Sequence, residues 1–371
     1  MKTTAAVVYE PGKRIEITEL DLDGPRDGEV LIRYTYAGLC HSDLHVQTGD
    51  LEARLPMVLG HEGAGIVEDV GPGVTRVKPG DHVVCSFIPN CGICRYCASG
   101  QQSICDMGAT ILDGYLPGPR FPLTGPRGEY GAMCILGTFS QYGVIHQNSA
   151  VKVDDDLPLD KAVLVGCGVP TGWGSAVNTA NVRPGQTVVV VGIGGIGINA
   201  VQGARYAGAK YVIAVDPLEN KREKAMELGA THAFASIEEA TTALVDLTRG
   251  QMADAAILTP GVMTAEIVGG GFNAVGKAGV VVLTALSKLL EPTIQLPGSI
   301  LTLFRKSLKG SLFGDCNPTT DIPRILGLYQ AGDLKLDEII TRTYSLEQVN
   351  EGYDDLLSGK NVRGVIVHSH I

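Results

Sequence analysis

Four cysteines stand close together at Cys91, Cys94, Cys97 and Cys105, spaced C-x2-C-x2-C-x7-C. Three thiolates at that step can turn toward one point, and a fourth closes a tetrahedron with no open position. That donor set describes a structural zinc site. An iron–sulfur cluster takes the same donors at similar steps, and bare surface thiols in a loop are readily oxidised. A second group of ligand types is scattered along the chain: Cys40-His41-Ser42-Asp43-Leu44-His45, Gly60-His61-Glu62-Gly63 and Gly166-Cys167-Gly168. Two thiolates and one imidazole with the fourth position open suit a catalytic zinc, which lowers the pKa of a bound hydroxyl. Local spacing does not join these segments. Taken singly, a cysteine beside glycine reads equally as a small buried residue, and a lone histidine as a surface or core one.

A third stretch, Val188 to Asp216, reads VVVVGIGGIGINAVQGARYAGAKYVIAVD. Its valine run is of the kind buried on both faces of a parallel sheet. Gly192, Gly194 and Gly197 then form Gly-x-Gly-x-x-Gly, with Ile193, Gly195 and Ile196 between them. The first glycine permits the tight turn, the second lets backbone approach a pyrophosphate, and the third lets the helix pack on the strand. The helix N-terminus holds the phosphates. A second apolar strand ends in Asp216, a carboxylate placed to accept from a ribose 2′-OH. The glycines alone are a weak signal that packing also explains. Strand, glycines, helix, strand and acid in order identify a dinucleotide-binding segment.

The elements that must position these residues follow a simple plan. At 371 residues the chain calls for two domains, and 44% apolar content is ample for their cores. Strand candidates at Thr4–Tyr9, Ile15–Leu20, Glu29–Ala37, Gly65–Val70 and Asp81–Phe87, separated by turn residues, predict a small barrel or sandwich. Residues 106–137, rich in Gly and Pro, read as an ordered loop at best. From Gly168 helix and strand alternate, which predicts an open parallel sheet. After Leu312 two helices and a closing strand, Arg363–Val367, return the chain to the first domain. The expected division is 1–168, containing the cysteine loop 91–105, then 169–312, then 313–371. A net charge of −10 disfavours nucleic acid or an anionic membrane as partner. No apolar run reaches the length of a membrane span, and Glu10-Pro11 falls where a signal peptide needs its apolar core. A cytoplasmic protein is expected, its nine cysteines serving as metal ligands or buried thiols.

Gly60-His61-Glu62-Gly63-Ala64-Gly65, the cysteine loop, Leu136-Gly137-Thr138-Phe139-Ser140-Gln141-Tyr142, Gly166-Cys167-Gly168-Val169, Gly192–Gly197 and Asn361-Val362-Arg363-Gly364 together resemble the zinc-dependent medium-chain alcohol dehydrogenases. The resemblance covers essentially the whole chain. It implies an α/β protein in which a Rossmann doubly wound parallel sheet is joined to a GroES-like β-barrel catalytic domain. It implies two zincs per chain and NAD. Cys40, His61 and Cys167 become the catalytic-zinc ligands, with Glu62 behind the metal as a transient ligand, and the four clustered cysteines hold the structural zinc. Asp43 orients the His61 ring, Ser42 receives the alcohol proton, and His45 passes it to solvent through the cofactor ribose. His41 and Arg363 correspond to cationic positions on the pyrophosphate, and Lys221 to the adenosine-ribose lysine. For Arg363 and Lys221 a simple solvated charge is the competing reading. Thr171 and Phe313 line the expected nicotinamide cleft, while Phe87, Ile135 and Leu136 match pocket-wall positions for an apolar alcohol. Asp216 favours NAD over a 2′-phosphorylated cofactor, with Arg222 the one feature against it.

Gly166–Val169 followed by Thr171-Gly172-Trp173-Gly174-Ser175-Ala176, together with Phe313-Gly314-Asp315-Cys316-Asn317-Pro318 and Asp321-Ile322-Pro323, is similar to the actinobacterial nicotinoprotein branch of that family. Those enzymes keep NAD(H) bound between turnovers and are assayed with the acceptor N,N-dimethyl-p-nitrosoaniline. The resemblance therefore implies a small-molecule alcohol or aldehyde substrate, an external electron acceptor and a homo-oligomer, dimer or tetramer. Three alternatives stand beside it. One is an alcohol dehydrogenase whose NAD exchanges freely. Another is oxidation of a formaldehyde–thiol adduct, which needs basic residues such as Arg120 or Arg127 at the pocket. The last is a silent NAD-binding scaffold, disfavoured because ligands and relay residues are all present.

Overall fold

A computed structural model describes residues 1–288 and 294–370. The chain forms two compact units, one of Met1–Cys167 with Asn317–Ile371 and the other of Gly168–Cys316. In the first, five short strands close a barrel: Lys2–Val8, Glu16–Leu22, Leu123–Gly125, Gly128–Ala132 and Met57–Val58. Alternate residues point inward, so Ala5, Val7, Leu20, Val58, Leu123 and Tyr130 form its core. The hairpin Leu123–Gly125/Gly128–Ala132, paired Leu123 to Tyr130, lies in the stretch read from sequence as a loop. Strands of three and five residues that include Gly125, Gly128 and Gly131 carry too little alternation to register as strands.

Beside the barrel in the same unit runs a seven-stranded sheet built around Glu29–Gly38. Gly63–Val70 pairs antiparallel with it, Ala37 facing Gly63, and Gly63 in turn faces Cys85 on His82–Cys85. The closing strand Arg363–Val367 lies on the other side, Val365 facing Gly38. These registers carry three segments to one end of the sheet: the chain leaving Gly38, the chain entering Gly63, and Arg363.

The second unit is a six-stranded sheet, parallel throughout, in the order His232–Phe234, Tyr211–Val215, Thr187–Val191, Ala253–Leu258, Val275–Leu283, Ser307–Gly310. Val188, Val189 and Val190 are wholly buried, as a central parallel strand requires. Val189, Ile213, Leu258 and Val281 pack with Phe272 of helix Ala265–Ala274 into its core. The helix that opens this unit runs from Gly168 to Gly174 and ends in a wider turn over Ser175–Thr179. Among the described residues no helix is long and apolar enough to cross a membrane.

His368 follows the closing strand, is buried, and donates from Nε2 to the Thr138 carbonyl at 2.9 Å. Burial pushes this imidazole down to about 4, outweighing the Thr138 carbonyl, from an ordinary 6.5. The folded protein thus keeps it neutral where the unfolded chain binds a proton, so its contribution is whole above pH 6.5 and is lost as pH falls toward 4. In zinc-saturated protein, His368→Gln should flatten the acid limb of the stability–pH curve by about one proton over that window. Urea unfolding at a series of pH values reads it; an unchanged slope contradicts it.

Candidate active site

Cys40 stands at the N-cap of the helix His41–Thr48, which follows directly from the central strand. The ligating atoms of Cys40, His61, Glu62 and Cys167 all lie within 4.8 Å of one another, and all four residues are buried. Asp43, on the first turn of the helix, is wholly buried and fixes the histidine. Its Oδ1 accepts from His61 Nδ1 at 3.1 Å and from the Gly60 amide at 3.0 Å. In the neutral ring, with Nδ1–H turned toward Asp43, Nε2 carries the lone pair that a metal would take. It is buried and finds no hydrogen-bond partner among the described residues. A buried orphan nitrogen beside two thiols is what a zinc site requires, and the donor set fits zinc.

The charges agree. Cys40 is held well below the usual thiol range by a hydrogen bond from Cys167, against the effect of burial and with help from the His61 charge. Cys167, the donor of that bond, is held well above the range by it and by burial. For His61, burial works downward, but the charges of Asp43, Cys167 and Cys40 outweigh it and the imidazole sits well above its ordinary value. Glu62 is pushed up to about 7 by burial, against the pull of Arg363. Arg363 itself is buried and bonds Glu62 Oε2, so it is no solvated surface charge. Its Nε has no partner among the described residues.

Ser42 Oγ lies 3.8 Å from Cys40 Sγ, and His41 beside it is exposed. His45, buried on the same helix, has Nδ1 3.4 Å from Asp50 Oδ2, which also accepts from Thr48 Oγ1 at 2.8 Å. Asp50 escaped the sequence reading; its one signal was an acid just past Gly49, the left-handed residue that ends the helix. The Phe87 ring meets the His61 ring edge-on, centroids 5.8 Å apart. Leu136 is buried, its carbonyl accepting from the Tyr34 hydroxyl at 2.9 Å. Ile135 is buried too, in the cluster that includes Val58 and Leu20 of the barrel.

The cysteine loop is closed by local turns. The helical turn Arg95–Ala98 and the tighter turn Gln102–Ile104 bring the sulfurs of Cys91, Cys94, Cys97 and Cys105 within 4.8 Å of one another. The Cys94 amide donates to Cys91 Sγ at 3.3 Å and the Cys97 amide to Cys94 Sγ at 3.4 Å. Amides of Asp106 and Cys97 bring Cys94 down to about 6, whereas burial takes Cys105 up to about 12. None of the nine cysteines, all among the described residues, is in a disulfide. Four sulfurs without an open position fit a closed zinc site.

In the second unit the glycine turn joins Thr187–Val191 to the helix Gly197–Tyr206. A Cβ on Gly197 would lie 1.9 Å from the Gly192 carbonyl oxygen, so only glycine allows that crossing. Gly194 is the reverse case, with nothing within 4 Å of its missing Cβ. That open cradle fits a pyrophosphate approaching the main chain. Asp216, buried at the end of Tyr211–Val215, accepts from the Ile193 amide at 2.8 Å and the Leu218 amide at 2.9 Å. The Ile196 carbonyl accepts from Ala200 at 3.0 Å, and that of Gly195 from Asn199 Nδ2 at 2.8 Å. Arg222 bonds the carbonyls of Asp216 and Pro217, both at 2.8 Å. Lys221 is partly buried beside it; Thr171 and Phe313 are buried.

Residues 26–155 match the family described as alcohol dehydrogenase GroES-like domain, and residues 195–331 the one described as zinc-binding dehydrogenase. An NDMA-dependent alcohol dehydrogenase from Amycolatopsis methanolica is 63% identical over 369 residues, covering all of both chains. The chain belongs to the zinc-dependent medium-chain alcohol dehydrogenases. Zinc and NAD are therefore its cofactors, and its fold is the Rossmann sheet with GroES-like barrel of that family. An S-(hydroxymethyl)glutathione dehydrogenase from Paracoccus denitrificans is 35% identical, covering 99% of this chain and all of its own. The crystal structure of benzyl alcohol dehydrogenase from Acinetobacter calcoaceticus superposes with a TM-score of 0.92 at 30% identity, covering all of both chains.

Two glycine variants separate packing from binding in this dehydrogenase. Gly197→Ala drives a methyl into a backbone carbonyl and should destabilise the protein by about 1–3 kcal/mol. Gly194→Ala should melt like the parent yet weaken NAD(H) binding by about tenfold or more, 1.4 kcal/mol. Thermal unfolding and nucleotide titration distinguish them; parent-like binding in Gly194→Ala contradicts the cradle.

Proposed function

We propose that the protein oxidises an apolar alcohol to its aldehyde through a serine–histidine relay, with one zinc at Cys40, His61 and Cys167 and a second at the four clustered cysteines. The observation that carries this is the pinned His61, its Nε2 facing two thiols with the Ser42 hydroxyl alongside. When bound, zinc supplies the Lewis acidity that acidifies the alcohol hydroxyl, and NAD accepts the hydride from its carbon. The chain's own residues manage the proton. Ser42 accepts it from the alcohol as negative charge builds on oxygen, and His45 passes it on toward solvent. Asp50 holds the His45 ring from its Nδ1 side. Glu62, paired with Arg363, is the carboxylate assigned to transient ligation. Gly192–Gly197 and Asp216 are assigned to NAD, with His41, Lys221, Arg363, Thr171 and Phe313 as its further contacts. Phe87, against His61, together with Ile135 and Leu136 is assigned to the apolar surface for the substrate.

Oxidation of a thiol adduct finds less support, despite the name of the Paracoccus relative. Arg120 bonds Glu29, and the Arg127 guanidinium lies 4.3 Å from the centre of the Tyr9 ring. Glu29 and Gly38 are opposite ends of one strand, about 30 Å apart at strand rise, so Arg120 is remote from the zinc ligands beyond Gly38.

Retention of NAD(H) between turnovers, with an external acceptor resetting it, is the finer reading that the 63% identical relative's name favours. It requires slow cofactor release. Dialysed protein, denatured and assayed for nucleotide, should then yield near-stoichiometric NAD(H). An empty supernatant with activity restored by added NAD would make this an exchanging dehydrogenase. Independently, Ser42→Ala should slow single-turnover hydride transfer by about 10²–10⁴-fold while nucleotide content stays normal. Near-parental hydride transfer in that variant contradicts the relay.

A further inference from the structure

The helix Val349–Leu357 lies against the start of the site, so close that a Cβ on Gly352 would meet the Leu39 side chain at 2.5 Å. It carries Tyr353, 3% exposed, whose ring packs 6.3 Å from that of Phe139. The Tyr353 hydroxyl is buried and has no hydrogen-bond partner among the described residues, and the same holds for Asp43 Oδ2. The Phe139 ring is also packed against Gly60, where a Cβ would lie 2.6 Å from it, and Asp43 holds the Gly60 amide, so Tyr353 and Asp43 belong to one packed cluster. Burial first, then the charge of Asp43 and its reach for a hydrogen bond, raise Tyr353 well above the ordinary tyrosine value, with Cys40 and Glu62 adding to the effect. A tyrosine hydroxyl, ordinarily with a pKa of about 10, carries its proton at neutral pH and is a donor.

Asp43 divides its oxygens unequally. Oδ1 already takes two donors, His61 Nδ1–H and the Gly60 amide, while Oδ2 takes none. A buried carboxylate oxygen and a buried hydroxyl are each costly without a partner. One charge-assisted hydrogen bond satisfies both. We propose that Tyr353 is a positioning residue for the zinc-binding histidine: its hydroxyl donates to Asp43 Oδ2 and so fixes the carboxylate that orients His61. The C-terminal segment then supports the site through two residues, Arg363 on Glu62 and Tyr353 on Asp43. This rests on reading Cys40, His61 and Cys167 as zinc ligands.

Tyr353→Phe removes one oxygen and keeps the ring. If the hydroxyl only fills space, the change relieves an orphan polar group and leaves the metal untouched. If it braces Asp43, the zinc is held less well. The test follows chelator-driven zinc release from holoenzyme with a metal indicator, beside residual turnover and thermal melting. The phase of release that tracks loss of turnover should quicken about tenfold, as loss of a metal ligand's outer partner does, while the other zinc is released as in the parent and the melting temperature falls rather than rises, because Asp43 Oδ2 is left unpaired. In an Asp43→Asn background the same substitution should add nothing. Parental release in Tyr353→Phe overturns the proposal, as does equal acceleration in the Asp43→Asn background. A parent protein with no zinc whose loss tracks turnover overturns the ligand reading together with it.

Discussion

Asp43 is wholly buried, and its Oδ1 holds both His61 Nδ1 at 3.1 Å and the Gly60 amide at 3.0 Å. That pair of bonds ties a helix to the segment entering a neighbouring strand. It also decides which nitrogen of His61 faces the thiols. A carboxylate with no exposure needs such donors, so the local chain is constrained at both ends of the contact. The surrounding buried charges follow from the same need: Glu62 is matched by Arg363, and Cys40 by Cys167 and His61. Removing a partner from such a set leaves an uncompensated buried charge. The arrangement is held by the registers of Glu29–Gly38 with its neighbours, which bring Cys40, His61 and Arg363 to one end of one sheet.

The nucleotide turn shows the same economy in a different medium. Asp216 receives two backbone amides, one from the glycine turn and one from the residues after its own strand. It therefore braces the turn before any cofactor arrives. Gly197 gives the close crossing and Gly194 leaves open space, so two glycines of one motif have opposite roles. Arg222, the residue that counted against NAD, bonds main-chain carbonyls.

What the sequence made legible tracks how local each interaction is. The four sulfurs of the cysteine loop sit within one short stretch, so their spacing alone implied a common centre. Cys40, His61, Glu62 and Cys167 could not be joined that way, because strand pairing brings them together; family resemblance supplied what spacing lacked. The glycine turn carried its own context of strand, helix and acid. Hidden from sequence were the relations that depend on tertiary packing. Asp50 beside His45, Tyr353 beside Asp43 and the Arg363–Glu62 pair link residues whose types, read singly, describe surface charges or core rings. The barrel's closing hairpin was missed because short glycine-bearing strands take their pairing from neighbours rather than from alternation.

The central claim is that Asp43 fixes His61 so that Nε2, with the sulfurs of Cys40 and Cys167, holds a zinc. Anomalous diffraction at the zinc edge from crystals of metal-replete protein addresses it directly. The account predicts two peaks per chain, one bonded to His61 Nε2 and to Cys40 and Cys167 Sγ at about 2.0–2.3 Å, the other to the four sulfurs of the cysteine loop. No peak at the first position, or a metal bonded there through His61 Nδ1 with Asp43 displaced, would contradict it.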